Sequence, residues 1–223
     1  FAMGLPVESP GAHDSWGRIG GYWHGNEPCH GVTYLYNYIG QPWKCQKWVR
    51  YVADNFYGNQ PGSLSGNDDC GQMSAWYIFN ALGFYPTAPS SNVYNLGSPT
   101  VPAAEMRLFN GRSIKMTTEN WSKANVYVKK VYLNGKVLDR SWISYADIRD
   151  GAELHFVMSS RPEKRRAVSA AAIPPSLPTG IEYAGGEVRD EWKDFVYPEV
   201  KFSCLNPETR GAKLYAQLVP DPE

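Results

Sequence analysis

At 223 residues the chain is long enough for one large or two small domains with a real core. Its 22 Lys and Arg balance 22 Asp and Glu, which excludes an overall field drawing in nucleic acid or an anionic membrane. Hydrophobic residues make up 43% and charged residues 20%, as in an ordinary globular protein, and no apolar run approaches the roughly 20 residues a spanning helix needs.

The chain opens on Phe1-Ala2-Met3-Gly4, without an initiator Met or a basic-then-apolar signal pattern, as a piece of a longer protein would. Residues 1–31 read as a loop region, because Gly17, Gly20, Gly21, Gly25 and Gly31 break any period. A short apolar stretch, Val32 to Ile39, ends at Gly40. Pro42 sits where a first helical turn tolerates proline, and Cys45, Trp48, Val49, Val52 and Phe56 recur at helical spacing, so an amphipathic helix is predicted over 42–57. After a loop from Gly58 to Gly66, a second helix is predicted from Asp69 to Leu82, with Gly83 as its stop. Two helices joined by a loop make an αα-hairpin, the repeating unit of helical barrels.

The pattern changes after Pro89. Val93–Leu96, Glu105–Phe109, Ser113–Thr117, Val126–Leu133, Lys136–Asp139, Trp142–Ser144 and Glu153–Met158 read as short strands, with Asn110-Gly111 and Asn134-Gly135 as hairpin signals. Residues 90–160 are therefore expected to form a small antiparallel β-domain. Residues 161–180, basic and then rich in Ala and Pro, read as a linker, and 181–223 as an extension with further strands near Glu199–Leu205 and Lys213–Val219.

Two polar clusters stand out. The first is Trp23-His24-Gly25-Asn26-Glu27-Pro28-Cys29-His30; the second runs from Gly66-Asn67-Asp68-Asp69-Cys70-Gly71-Gln72 into the second helix. An acidic pair at a helix start is accounted for as an N-cap plus a first-turn acid. The flanking glycines are more than a cap needs, and a carboxylate at a helix N-terminus is held ionised, which suits a general base or a metal ligand. In the first cluster, oxygen donors (Asn26, Glu27) suit a hard cation, whereas HGNEPCH and the four cysteines without CxxC spacing argue against zinc. Cys29, Cys45, Cys70 and Cys204 could be packed free thiols or contain a pair; the sequence leaves both open. The aromatic content of 14%, concentrated between Trp16 and Tyr85, fits either sugar-stacking surfaces or a core of large rings.

The blocks Tyr22-Trp23-His24-Gly25-Asn26-Glu27-Pro28, Tyr34-Leu35-Tyr36-Asn37-Tyr38, Gly40-Gln41-Pro42-Trp43-Lys44 and GNDDCGQMSAWYIFNALGFYP, in this order, closely resemble those of family 92 glycoside hydrolases. Gly97-Ser98-Pro99, Leu133-Asn134-Gly135-Lys136 and Asp147-Ile148 extend the resemblance over about residues 15–160. It implies an α+β chain in which residues 1–89 are the C-terminal portion of an (α/α)6 catalytic barrel, followed by the β-domain. It implies an inverting, calcium-dependent exo-α-mannosidase acting outside the cytoplasm (secreted or periplasmic) on N-glycans or mannans. Asp69 matches the general base, with Asp68 the neighbouring candidate and Asn67 at a position where some members carry a second acid. Asn26 and Glu27 match the calcium region, and His24, Trp23, His30 and Gln72 the substrate side. Members cutting α-1,2 bonds tend to follow this His with Glu; Gly25 stands there instead, so another linkage is expected. The family's Glu-Gly-Asn-x-Trp block, which carries the general acid, does not occur in this chain, so an N-terminal part of the same enzyme is the expected partner. The rival readings are a non-catalytic carbohydrate-binding or structural module, and a helical scaffold with a purely structural calcium ion.

Overall fold

A computed structural model describes residues 17–19, 21–60, 62–88, 91–175 and 200–203. Trp16, Cys204, most of the 181–223 extension and its expected strand at 213–219 lie outside the described residues.

The amphipathic pattern produces the expected long helix, α2, over Pro42–Asn55, preceded by a 3-10 turn at Val32–Tyr34 and the single turn α1 at Leu35–Tyr38. Cys45, Val49, Val52 and Ala53 line the inner face of α2. The next helix, α3, spans Gln72–Leu82 rather than starting at Asp69, because Asp69, Cys70 and Gly71 all have positive φ and cannot belong to a right-handed helix. Gly83, left-handed at φ 87°, stops it as expected. The N-terminal loop region contains a short antiparallel ribbon, β1 (Arg18–Ile19) with β2 (Tyr22–Trp23), too brief to leave a period in the sequence.

Chain reversal after Gly83 gives β3 (Phe84–Ala88), which pairs with β4 (Val93–Leu96), and β4 pairs with β9 (Trp142–Ser144). The β-layer therefore begins at Phe84. A larger sheet contains β5 (Ala103–Arg107), β6 (Ser113–Glu119), β7 (Tyr127–Leu133), β8 (Lys136–Val137), β10 (Ala152–Ser159) and β11 (Val200–Ser203), in the order β11-β5-β6-β10-β7-β8. This sheet is mixed, not purely antiparallel as expected: β10 runs antiparallel to β7 but parallel to β6. The Asn-Gly turns specify only the neighbouring pairs β5–β6 and β7–β8. β10 arrives from a distance, after the turn α4 (Tyr145–Ile148), and inserts between β6 and β7. There its alternating Ala152, Leu154, Phe156 and Met158 are buried and both its edges are paired.

Two apolar clusters result. One joins the sheets through Phe84, Leu96, Ile114, Met116, Val131, Ile143, Leu154 and Phe156. The other, rich in rings, packs Tyr22, Tyr34, Val49, Phe56, Trp76 and Tyr85 around α2 and α3. Buried polar side chains of the helical layer satisfy main-chain groups of the β-layer: Asn37 Nδ2 donates to Leu96 O (2.9 Å), Gln46 Oε1 accepts from Val128 N (3.0 Å), and Arg50 donates to Pro99 O (3.0 Å). Within the stretch expected to be a linker, Arg166, Ala167 and Ala172 are buried and Ser141 N donates to Ala172 O at 2.9 Å, so residues 161–175 pack back onto the body. Among the described residues no helix is long and apolar enough to cross a membrane.

Candidate active site

Both sequence clusters come together, and glycines make this possible. A β-carbon on Gly66 would lie 2.4 Å from the carbonyl oxygen of Gly25, and one on Gly25 would lie 2.2 Å from that of Ser65. The loop after β2 and the loop before α3 thus run main chain against main chain, which only positions without a β-carbon allow. Trp23 flanks this seam with its ring beneath the Arg18 guanidinium, 4.8 Å from the ring centroid.

Behind the seam lies a hydrogen-bonded network. His24 is fully buried. Tyr22 Oη lies 2.7 Å from its Nδ1, and its Nε2 lies 2.6 Å from Tyr57 Oη, which donates to Met73 O at 3.0 Å. Because the Tyr57 hydroxyl spends its proton on Met73, it accepts from His24, and His24 is the Nε2–H tautomer. Burial, then the neighbouring His30, holds its pKa down to about 2. With both ring nitrogens engaged and Trp76, Phe56 and Tyr57 around it, His24 has no edge open to a sugar. The aromatic shell turns the imidazole inward, as a cross-brace between β2, the residues after α2, and α3.

His30 is also buried, with Nε2 at 3.0 Å from His24 O and 3.1 Å from Met73 Sδ, and burial lowers its pKa. Its other nitrogen faces Gln72 Nε2 at 3.4 Å, and Gln72 donates to Tyr85 Oη at 2.8 Å. Gln72 is half-buried and closes the network toward the surface.

The acidic loop lies on the open side, where Asn67 and Asp69 are exposed and Asp68 is half-buried. Asp69, Cys70 and Gly71 take φ 49°, 56° and 96° in succession. Two residues with side chains in the left-handed region are costly and are retained where the surroundings over-determine them. Asp68 Oδ1 accepts from both Ser74 N and Ser74 Oγ at 2.9 Å. Among the described residues Asp69 has no such clamp, and its charge, with that of Glu27, reaches His30, where both favour protonation against the larger effect of burial. Glu27 also raises the pKa of Tyr85 behind burial, so the acid loop and the Asn26-Glu27 turn share one electrostatic environment.

Asn26 and Glu27 are exposed at the 3-10 turn Glu27–Cys29. Amide and carboxylate oxygens fit a hard cation in kind. Among the described residues no three or more His, Cys, Asp or Glu converge as a metal cluster. Sequence reasoning missed Tyr57, Tyr85 and Ser74; the two tyrosines are marked only by partners distant along the chain, whereas Ser74 pairs with Asp68 just before its own helix.

Comparison with known proteins agrees with this arrangement of motifs. The model of the glycosyl hydrolase family 92 catalytic domain matches residues 5–160. A family GH92 alpha-mannosidase from Bacteroides thetaiotaomicron is 64% identical with a TM-score of 0.71, over 73% of this chain and 22% of that one. The same enzyme in complex with mannoimidazole aligns at 63% identity and a TM-score of 0.73, over 78% of this chain and 23% of that one. A family GH92 inverting mannosidase from that bacterium is 37% identical (TM-score 0.66; 71% of this chain, 21% of that one). A protein of Arthroderma benhamiae described as an uncharacterized secreted glycosidase is 29% identical over 164 residues, 72% of this chain and 21% of its own. The chain thus spans only about a fifth of the length of these relatives, and it belongs to glycosyl hydrolase family 92.

Proposed function

We propose that this chain contributes the general-base side of an inverting exo-α-mannosidase that removes terminal mannose from N-glycans or mannans. The observation that carries the reading is the left-handed turn at Asp69, an exposed carboxylate whose charge, with that of Glu27, reaches the buried His30. High identity to a mannosidase, one of whose structures holds mannoimidazole, supports mannose as the sugar. In inversion one carboxylic acid protonates the leaving oxygen while a carboxylate ~6.5–9.5 Å away draws a proton from the attacking water. Asp69 takes the water's proton, Asp68 is oriented through Oδ1 by Ser74, and Asn67 is a neutral neighbour. The acid comes from an N-terminal part of the enzyme, within the barrel to which α2 and α3 belong. Asn26 and Glu27 would hold calcium, which when bound engages mannose hydroxyls and favours ring distortion. Trp23 and Gln72 border the sugar. Gly25, where a side chain would meet Ser65 O, supports a linkage other than α-1,2. The name of the fungal relative supports secretion.

The test is mannose release from the α-1,2, α-1,3, α-1,4 and α-1,6 mannobioses by the full-length enzyme, with calcium and with EDTA, beside Asp69→Asn. Calcium-dependent release that the substitution abolishes is expected. Release unaffected by Asp69→Asn overturns the base assignment, and saccharide binding without any turnover overturns the enzyme reading in favour of a non-catalytic module.

A further inference from the structure

We infer that Asp68 is a positioning residue, acting with Ser74 to hold the left-handed turn that presents Asp69; this rests on Asp69 being the base. The residue at the N-cap of α3 is Gly71, which has no side chain to offer the first-turn amides. The acid loop supplies the acceptors instead. Gln72 N donates to Asp69 O (3.2 Å), Met73 N to Asp68 O (3.1 Å), and Ser74 N to Asp68 Oδ1 (2.9 Å). A capping side chain normally sits at the N-cap itself and reaches two or three residues forward. Here the carboxylate arrives from three residues before the N-cap and closes a ring around Asp69, Cys70 and Gly71, the three residues with positive φ.

Ser74 Oγ adds a second donor to the same oxygen, at 2.9 Å. A helix end alone requires only the amide contact, so the hydroxyl serves to fix the carboxylate's direction. With Asp68 pinned, relaxing Asp69 or Cys70 to negative φ works against the four hydrogen bonds that tie Asp68 and Asp69 to α3. Asp69 therefore projects from a rigid element although it lies on an exposed loop. Both acceptor directions of Asp68 Oδ1 are occupied by Ser74, which orients the carboxylate and leaves Oδ2 as its remaining acceptor, so variants must separate a positioning role from proton transfer.

The test compares Asp68→Asn, Asp68→Ala, Ser74→Ala and Asp69→Asn in the full-length enzyme, measuring kcat and KM separately on the mannobiose it cleaves best. Asn keeps the acceptor oxygen for both Ser74 donors, so Asp68→Asn should retain kcat within about threefold, whereas Asp68→Ala should lower it by roughly 10- to 100-fold as the base loses its placement. Ser74→Ala, the milder change, should lower kcat about 3- to 10-fold with KM within about twofold, since substrate binding does not use it. An Asp68→Asn enzyme as inactive as Asp69→Asn overturns the proposal and makes Asp68 a reacting group. Unchanged kcat in Ser74→Ala overturns it as well, even if Asp68→Ala fails to fold. Should Asp69→Asn remain active while Asp68 and Ser74 behave as expected, the base assignment has failed and the clamp has not.

Discussion

Gly66→Ala tests whether the seam between the two site loops is as tight as the structure places it. The added carbon would lie 2.4 Å from Gly25 O and 2.6 Å from Gly25 Cα, both main-chain atoms that no rotamer change can move. Comfortable contact begins near ~3.5 Å, so the loops must part by about 1 Å. Overpacking against backbone costs ~1–3 kcal/mol, and in a chain of this size each kcal/mol lowers Tm by about 2–4 °C. A shift of that size between Glu27 and Asp69 should also cost activity, on the order of 10²-fold in kcat/KM, because groups on opposite sides of the seam must act on one sugar. Gly21→Ala is the control: nothing lies within 4 Å of its added carbon. It should stay within about 0.5 kcal/mol of wild type. Thermal unfolding followed by circular dichroism and mannobiose kinetics on the full-length enzyme give the two readouts. If Gly66→Ala matches Gly21→Ala in both, the loops do not meet as described and the reasoning that joins the two clusters fails.

Asn80 is buried, with Nδ2 donating to Trp76 O at 2.6 Å and Oδ1 accepting from Tyr34 Oη. Asn80→Leu should therefore cost roughly 1–3 kcal/mol in urea unfolding by orphaning the Tyr34 hydroxyl, and adding Tyr34→Phe should recover part of it. His24, neutral in the fold with a pKa of about 2 against 6.5 in the unfolded chain, binds protons only on unfolding. Its contribution is thus whole above pH 6.5 and is lost as pH falls toward 2, by ~1.4 kcal/mol per unit. Nitrogen-15 shifts should show an Nε2–H imidazole that stays neutral down to acid unfolding, and titration near pH 6.5 would contradict the buried network. The Arg166 guanidinium, whose pKa burial pushes down to about 10, donates to Leu138 O and Arg140 O. Arg166→Ala should destabilise by about 1.5–3 kcal/mol, and an unchanged Tm would return residues 161–175 to the status of a loose linker.

The elements legible in the sequence are those specified by neighbours along the chain. Pro42 and the Cys45, Val49, Val52 spacing foretell α2, Gly83 foretells the end of α3, and the Asn-Gly pairs foretell two hairpins. The sequence places the start of α3 at Asp69 because an acidic pair before an apolar run reads as a cap; of the three consecutive residues with positive φ only Gly71 is marked by its type. The parallel pairing of β10 with β6 has no local signal, since β10 is defined by alternation that either direction would bury equally well. In the site, residue types gave the acids and oxygen donors. They could not give the inward turn of His24, because that depends on Tyr22, Tyr57 and Trp76 closing around it.

The two histidines and the two acids divide the site by dielectric. His24 and His30, held neutral by burial, carry hydrogen bonds between β2, α2 and α3 without adding charge behind the seam. Asp69 stands on its left-handed turn, flanked by the Asp68–Ser74 hydrogen bonds, and Glu27 on its 3-10 turn. Gly25 and Gly66 then fix the spacing between those turns without any side chain that could rearrange. Backbone geometry sets the acids, a neutral core supports that geometry, and each part is open to a separate substitution.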